Sequence, residues 1–167
     1  GSGIALCPSS NFFLTSGLVP VRALEAAGIT LGLGSDVGAG TRLSMFDHMR
    51  ALVQCSKATT LALRDIKRSP DPPAPLTPGE AFHYATRGSA ELLGLGQRCG
   101  RLQEGYWADI LVLDPTTVDP GQASLLGDTT RDQLSRLVHR GDERAVKAVF
   151  SAGLLRHGSL PAPLSLK

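Results

Sequence analysis

Residues Ile29–Gly40, ITLGLGSDVGAG, decide how this chain is read: a short apolar strand delivers one aspartate, Asp36, into a glycine-rich loop. The apolar run Ile29, Leu31 and Leu33 is punctuated by Gly32 and Gly34, and the polarity changes abruptly at Ser35-Asp36. A carboxylate at the C-terminal end of a buried strand stands where parallel α/β folds assemble their active sites. Two readings of Asp36 stay open on pattern alone. As a structural residue it ends a strand, tolerates an unusual backbone angle or caps the following helix. As a functional residue it ligates a metal or moves a proton.

Upstream, Gly3–Cys7 reads as a short buried strand ending at Pro8, followed by a polar turn at Ser9-Ser10-Asn11. Pro20 to Ala27 reads as a helix, with proline at its first position and Gly28 as its stop. Strand, helix and strand with short connections make a βα repeat from a parallel sheet. Downstream, Ser44 or Thr41 caps a helix reaching about Leu63, in which Met45, Met49, Leu52 and Val53 form one apolar stripe. Ser69–Pro75 is a stiff proline-rich surface loop. Thr77-Pro78-Gly79-Glu80 is a capping-box helix start, and the helix is expected to run to Leu93 and stop at Gly94.

Near Gly94 the composition shifts from a βα-type half to a β-rich half. Gly100–Gly105 is a turn-rich strand entry and Ala108–Asp114 a strand. A helix over Arg131–His139 stops at Gly141, and Ala145–Phe150 with Leu154–His157 form a hairpin around Ala152-Gly153. The last residues, Gly158–Lys167, read as a loosely held tail.

The bulk numbers exclude several functions. With 167 residues, 42% hydrophobic and 19% charged, the chain has an ordinary soluble composition and can bury a sizeable core. A formal net charge of +2 with 5% aromatics, and no basic run interleaved with aromatics, argues against nucleic acid. No apolar segment approaches the roughly 20 residues that span a bilayer, so no membrane role is expected. The first residues lack the pattern of a secretion signal. Cys7, Cys55 and Cys99 are odd in number and form no CxxC pair, which fits reduced thiols in a cytoplasmic protein.

Chemistry by motif is sparse. Gly32-Leu-Gly34-Ser-Asp-Val37 has valine where a dinucleotide fingerprint needs its third glycine, and no GK[ST] follows. No GxSxG elbow is present, and Cys7 has no base partner in the sequence pattern. His48, His83, His139 and His157 form neither HxH nor HExxH, so each reads as a helix-surface or partly packed residue. Ser9, Ser10 and Asn11 follow a strand directly and share the rim with Asp36. There they either contact a ligand or bond their own backbone.

In order along the chain, several segments resemble the C-terminal part of the amidohydrolase superfamily, and within it the guanine deaminase family. They are Cys7-Pro-Ser-Ser-Asn11 with Ser16-Gly17, Gly32–Gly40 with Ser44-Met45, and Leu76–Phe82 with Ala85-Thr86. Leu92–Leu95, Gly100–Gly105, Ala108–Asp114 and Gly141-Asp-Glu-Arg144 continue the series. The combination of CPSSN, GSDVGAG and GDER favours that family over its relatives. Tyr106 stands where relatives often have lysine, Ser35 where threonine is common, and the Ser69–Pro75 loop has the character of an insertion.

The resemblance implies an α/β fold: the C-terminal part of a (β/α)₈ metal-dependent hydrolase barrel, strands seven and eight with their helices, plus part of a small β-sandwich. Residues 1–95 would be barrel, 96–157 sandwich with a connecting helix, and 158–167 tail. Asp36 would be both catalytic residue and metal ligand in a Zn²⁺ site, taking a proton from the attacking water and helping protonate the departing ammonia. The implied reaction is hydrolytic deamination of guanine to xanthine, by an enzyme that is a homodimer when intact. The family's histidine ligands and glutamate shuttle have no counterpart here, and a complete barrel needs about 250 residues. The chain alone is therefore expected to be an inactive fragment. One alternative keeps the superfamily and changes the ring, to an aminohydrolase or chlorohydrolase of another heteroaromatic substrate. The other is a non-catalytic remnant that serves as a binding or assembly piece, since a partial barrel exposes sheet edges.

Overall fold

In a computed structural model describing residues 2–65, 70–118 and 128–159, β1 (Gly3–Leu6) and β2 (Thr30–Leu33) pair in parallel, Gly3 opposite Thr30 and Leu6 opposite Leu33. Parallel pairing requires a crossover. Two short helices supply it, α1 (Pro8–Phe13) and α2 (Val21–Ala26). The βα repeat is thus present as expected, with two differences. Pro20 occupies the cap position of α2 rather than its first turn. And α1 replaces the expected turn at Ser9–Asn11. Serine and asparagine favour turns when their side chains bond the nearby backbone. Here the two serine hydroxyls are taken by distant partners, and Pro8 at the helix start fits the backbone.

Leu6, Leu31 and Leu33 turn into the core, whereas Gly3, Ile4 and Ala5 of β1 are exposed. The expected burial of that whole strand is corrected accordingly: only its last residue is covered. Packed on α1 is α3 (Met45–Asp65), which buries Met49, Leu52 and Val53 on one stripe. Asp47 in its first turn complements the helix dipole. Leu76, Ala81, Tyr84 and Val138 complete this core.

The helix begun by Thr77 is not a uniform α-helix. It comprises α4 (Pro78–His83), a π-turn over Tyr84–Gly88, and α5 (Ser89–Leu92), ending before Gly94 as expected. Its start is a capping box: the Thr77 hydroxyl accepts from the Glu80 amide, and the Glu80 carboxylate accepts from the Thr77 amide at 2.7 Å. Thr77→Ala removes one half of that exchange. It is expected to cost about 1 kcal/mol, lowering the thermal midpoint by about 2–4 °C. An unchanged midpoint in a melting experiment would show the cap to be redundant.

Of the proline-rich stretch, Pro70–Pro75 is irregular and mostly exposed, as expected, while Ser69 lies outside the described residues. Its end is tied down by Arg22, which donates to the Ala74 carbonyl at 3.0 Å and pairs with both Glu25 and Glu80. The π-turn joins this network, since the Tyr84 hydroxyl donates to Glu25.

A second sheet is antiparallel, in the order β3 (Ile110–Leu113), β4 (Val146–Ser151) and β5 (Leu154–Gly158). The β4–β5 hairpin turns at Ala152-Gly153, both at positive φ. Gly100–Gly105 forms turns without strand pairing. Between β3 and β4 runs α6 (Thr130–Arg140), opened by a Thr129–Asp132 capping box and ended at Gly141. Most of the tail beyond Gly158 lies outside the described residues. Among the described residues no helix is long and apolar enough to cross a membrane.

Candidate functional site

Both parallel strands end at the same rim, and the sequence that follows each end supplies the site. After β2 the chain continues through Gly34, whose amide still donates to the Leu6 carbonyl at 2.8 Å. It then turns at Asp36, a non-glycine residue with φ of 49°. Left-handed backbone costs an ordinary residue about 1 kcal/mol, least for Asp and Asn. Two amides, Ala39 and Gly40, donate to the Asp36 carbonyl and close the loop around it. A Cβ at position 40 would lie 1.8 Å from the Ser35 carbonyl oxygen, so the closure requires glycine there.

After β1, α1 brings Ser10 beneath this loop. The buried Ser10 hydroxyl donates to Asp36 Oδ2 at 2.6 Å. Among the described residues Oδ1 accepts no hydrogen bond. One carboxylate oxygen is thus fixed and the other left for chemistry, on a side chain that is itself exposed at the rim. Cys7 stands beside it. Burial, and then the Asp36 charge, push the Cys7 thiol above its usual range, which keeps it protonated and a poor nucleophile.

Of the residues singled out in the sequence, the structure brings Ser10 to Asp36 and takes Ser9 elsewhere. Ser9 Oγ lies 2.7 Å from His48 Nδ1, and His48 Nε2 lies 2.8 Å from the Arg42 carbonyl. His48 is 0% exposed, which corrects its reading as a helix-surface or partly packed residue. The stripe position was right, but of the two partners that stabilise a polar ring in the core only Arg42 is near in sequence, and Ser9 is 39 residues away. His83, His139 and His157 are exposed. Burial, then Lys57 and Arg50, hold His139 below the usual histidine range.

An open cavity of about 750 Å³ is lined by Val37, Leu43, Met45, Phe82, Leu111 and Leu113 among others. Its wall begins at Val37, next to Asp36 in the chain, while Cys7, Ser10 and Asp36 are not among its lining residues. A carboxylate with one free oxygen fits one position of a tetrahedral zinc centre, which takes nitrogen, oxygen or sulfur donors. It does not make a whole centre. Among the described residues no group of three or more His, Cys, Asp or Glu could hold a metal.

Comparison with known proteins places this arrangement in a family. The model of the amidohydrolase family matches residues 1–155. Guanine deaminase of Mus musculus is 31% identical over 157 residues, which cover 92% of this chain and 33% of the mouse protein. The structure of E. coli guanine deaminase superposes with a TM-score of 0.81 at 28% identity, over 95% of this chain and 34% of that one. An adenosine deaminase from Xanthomonas campestris with bound zinc gives 0.70 at 26% identity, over 93% and 32%. The chain spans about a third of the length of the relatives it matches. Through the family match over nearly its whole length, and an α/β fold shared with these enzymes, the chain belongs to the amidohydrolase family.

Proposed function

We propose that this chain supplies one wall of a zinc-dependent guanine deaminase site, with Asp36 as metal ligand and proton carrier. The observation that carries the reading is the Ser10–Asp36 bond at the common end of two parallel strands. It presents one carboxylate oxygen and restrains the other, on a loop closed by its own backbone. Likeness to guanine deaminases at 31% identity in sequence and 0.81 in TM-score supports the substrate. Zinc is supported by the donor chemistry of Asp36 and by the zinc-containing neighbour. In this reading β1 and β2 are strands seven and eight of a (β/α)₈ barrel, and residues 1–95 are the C-terminal segment of that barrel. The sheet β3–β5 is part of a small β-sandwich over 96–157, and 158–167 a tail. The remaining metal ligands come from polypeptide outside these 167 residues.

When bound, zinc supplies Lewis-acid activation, bringing the pKa of its water to about 7. The chain's own residues supply the rest. Asp36 Oδ1 takes the proton as water adds to the ring carbon that bears the amino group. It returns a proton to the nitrogen as ammonia departs, while Ser10 holds Oδ2 in place. The products are xanthine and ammonia, and the carboxylate ends as it began.

A substrate panel tests this reading on the polypeptide that carries the completed site. Guanine, an adenosine derivative, cytosine and a triazine are offered at equal concentration, and ammonia or chloride release is measured. Guanine is expected to give the highest kcat/KM. Preference for a triazine or an adenosine would reassign the substrate within the family, and no turnover of any would favour a non-catalytic role. The isolated 167-residue chain is expected to release no ammonia from guanine, since one carboxylate is far short of a zinc site.

A further inference from the structure

We infer that His48 is a positioning residue for Asp36, acting through Ser9 on one side and the Arg42 carbonyl on the other. The inference rests on the catalytic reading of Asp36 given above. Seven residues form a closed ring of covalent and hydrogen-bonded links: Asp36, Ser10, Ser9, His48, Arg42, Thr41 and Gly40. Asp36 is held by Ser10, Ser10 is bonded to Ser9, Ser9 meets His48 Nδ1, and His48 Nε2 meets the carbonyl of Arg42. From Arg42 the backbone leads back through Gly40 to Asp36, whose carbonyl receives the Ala39 and Gly40 amides. The ring therefore spans both ends of the segment that carries the carboxylate.

The donor roles follow from the partners. A carbonyl oxygen only accepts, so Nε2 carries the hydrogen on the Arg42 side. In the neutral ring Nδ1 then accepts, and the Ser9 hydroxyl donates to it. Both nitrogens are satisfied, as a fully buried imidazole requires. An aliphatic side chain would fill this position on the α3 stripe with no polar group to satisfy. A polar ring there, tied to the first turn of α1 and to the loop at Arg42, is accounted for by the order it imposes on them. Through Ser9 it fixes the first turn of α1, and with it the direction of the Ser10 hydroxyl.

Ser9→Ala and His48→Ala break the ring at adjacent points, and the serine change removes a single oxygen that folding can spare. Hydrogen exchange on the 167-residue chain reads the ring without reference to activity. Each variant is expected to raise exchange at the Ala39 and Gly40 amides roughly tenfold, the effect of one lost hydrogen bond. Amides of β4 should keep their protection. In the completed enzyme kcat should fall by about 10- to 100-fold with KM within about twofold, as small misplacement of a reacting group does. The double variant should be no worse than the poorer single one, and His48→Asn, which restores an acceptor for Ser9, should recover part of the loss. Unchanged exchange at residues 39 and 40 in Ser9→Ala, or acceleration spread equally over β4, overturns the inference. An Asp36→Asn enzyme that turns over normally overturns the catalytic reading instead, and the exchange result still decides whether the ring exists.

Discussion

Asp36→Asn is expected to leave the fold intact and to lower guanine turnover by about a thousandfold, the middle of the range for removing a general acid–base group. The change is nearly isosteric. Asparagine keeps an oxygen that can accept the Ser10 hydroxyl, so the contact at the rim is retained. It also tolerates the left-handed backbone at this position, where φ is 49°. What it loses is a negative oxygen able to take and return a proton, and with it a charged donor for a metal. The thermal midpoint should therefore stay within about 1 °C, since neither packing nor backbone changes. The measurement is kcat for guanine in the completed enzyme beside the melting curve of the same preparation. Activity within tenfold of the parent would remove Asp36 from the chemistry. A collapsed midpoint would assign its role to structure, the alternative left open by the sequence pattern.

That pattern carried the frame of the site further than its contents. The strand ending at Asp36 was legible because apolar residues, Gly28 and the loop glycines bound it on both sides, and local rules suffice for such an element. The Thr77 helix start was legible for the same reason, since its capping box closes within a single turn. The helix of Ser9 and Ser10 was not. Its hydroxyls bond residues 39 and 26 positions away, and a rule about serines near their own backbone has no access to those partners. His48 was hidden by the 39-residue separation from Ser9, although Arg42 is only six residues away. Its position beside the Met49 and Leu52 stripe was plain, but complete burial depends on Arg42 and Ser9 meeting it in the fold. Beyond Asp36 the sequence pattern offers no metal ligand, and among the described residues no group of three or more His, Cys, Asp or Glu could hold a metal.

The π-turn was equally hidden, because the apolar spacing from Ala81 to Leu92 fits an ordinary helix. Its purpose shows in what it approaches. Widening the helix at Tyr84–Gly88 lets Ser89 Oγ donate to the Tyr84 carbonyl five residues back and accept from the Leu33 amide on β2. The approach is so close that a Cβ at Gly88 would stand 2.6 Å from the Leu31 carbonyl oxygen. Gly88→Ala is therefore expected to destabilise the chain, although alanine is better than glycine in a helix by about 1 kcal/mol. The clash is with strand backbone, which cannot swing aside as a side chain can, and overpacking of this kind costs about 1–3 kcal/mol. With the clash outweighing the helix gain by about 1–2 kcal/mol, the midpoint should fall by about 2–8 °C. Gly79 provides the matched control on the same helical run. A Cβ there meets nothing nearer than 3.9 Å, so Gly79→Ala should raise the midpoint by about 1–3 °C through the restricted unfolded chain. Opposite signs from the same chemical change would tie the loss at Gly88 to its contact with β2. A rise in both variants would show that the π-turn does not press on the strand that carries Asp36.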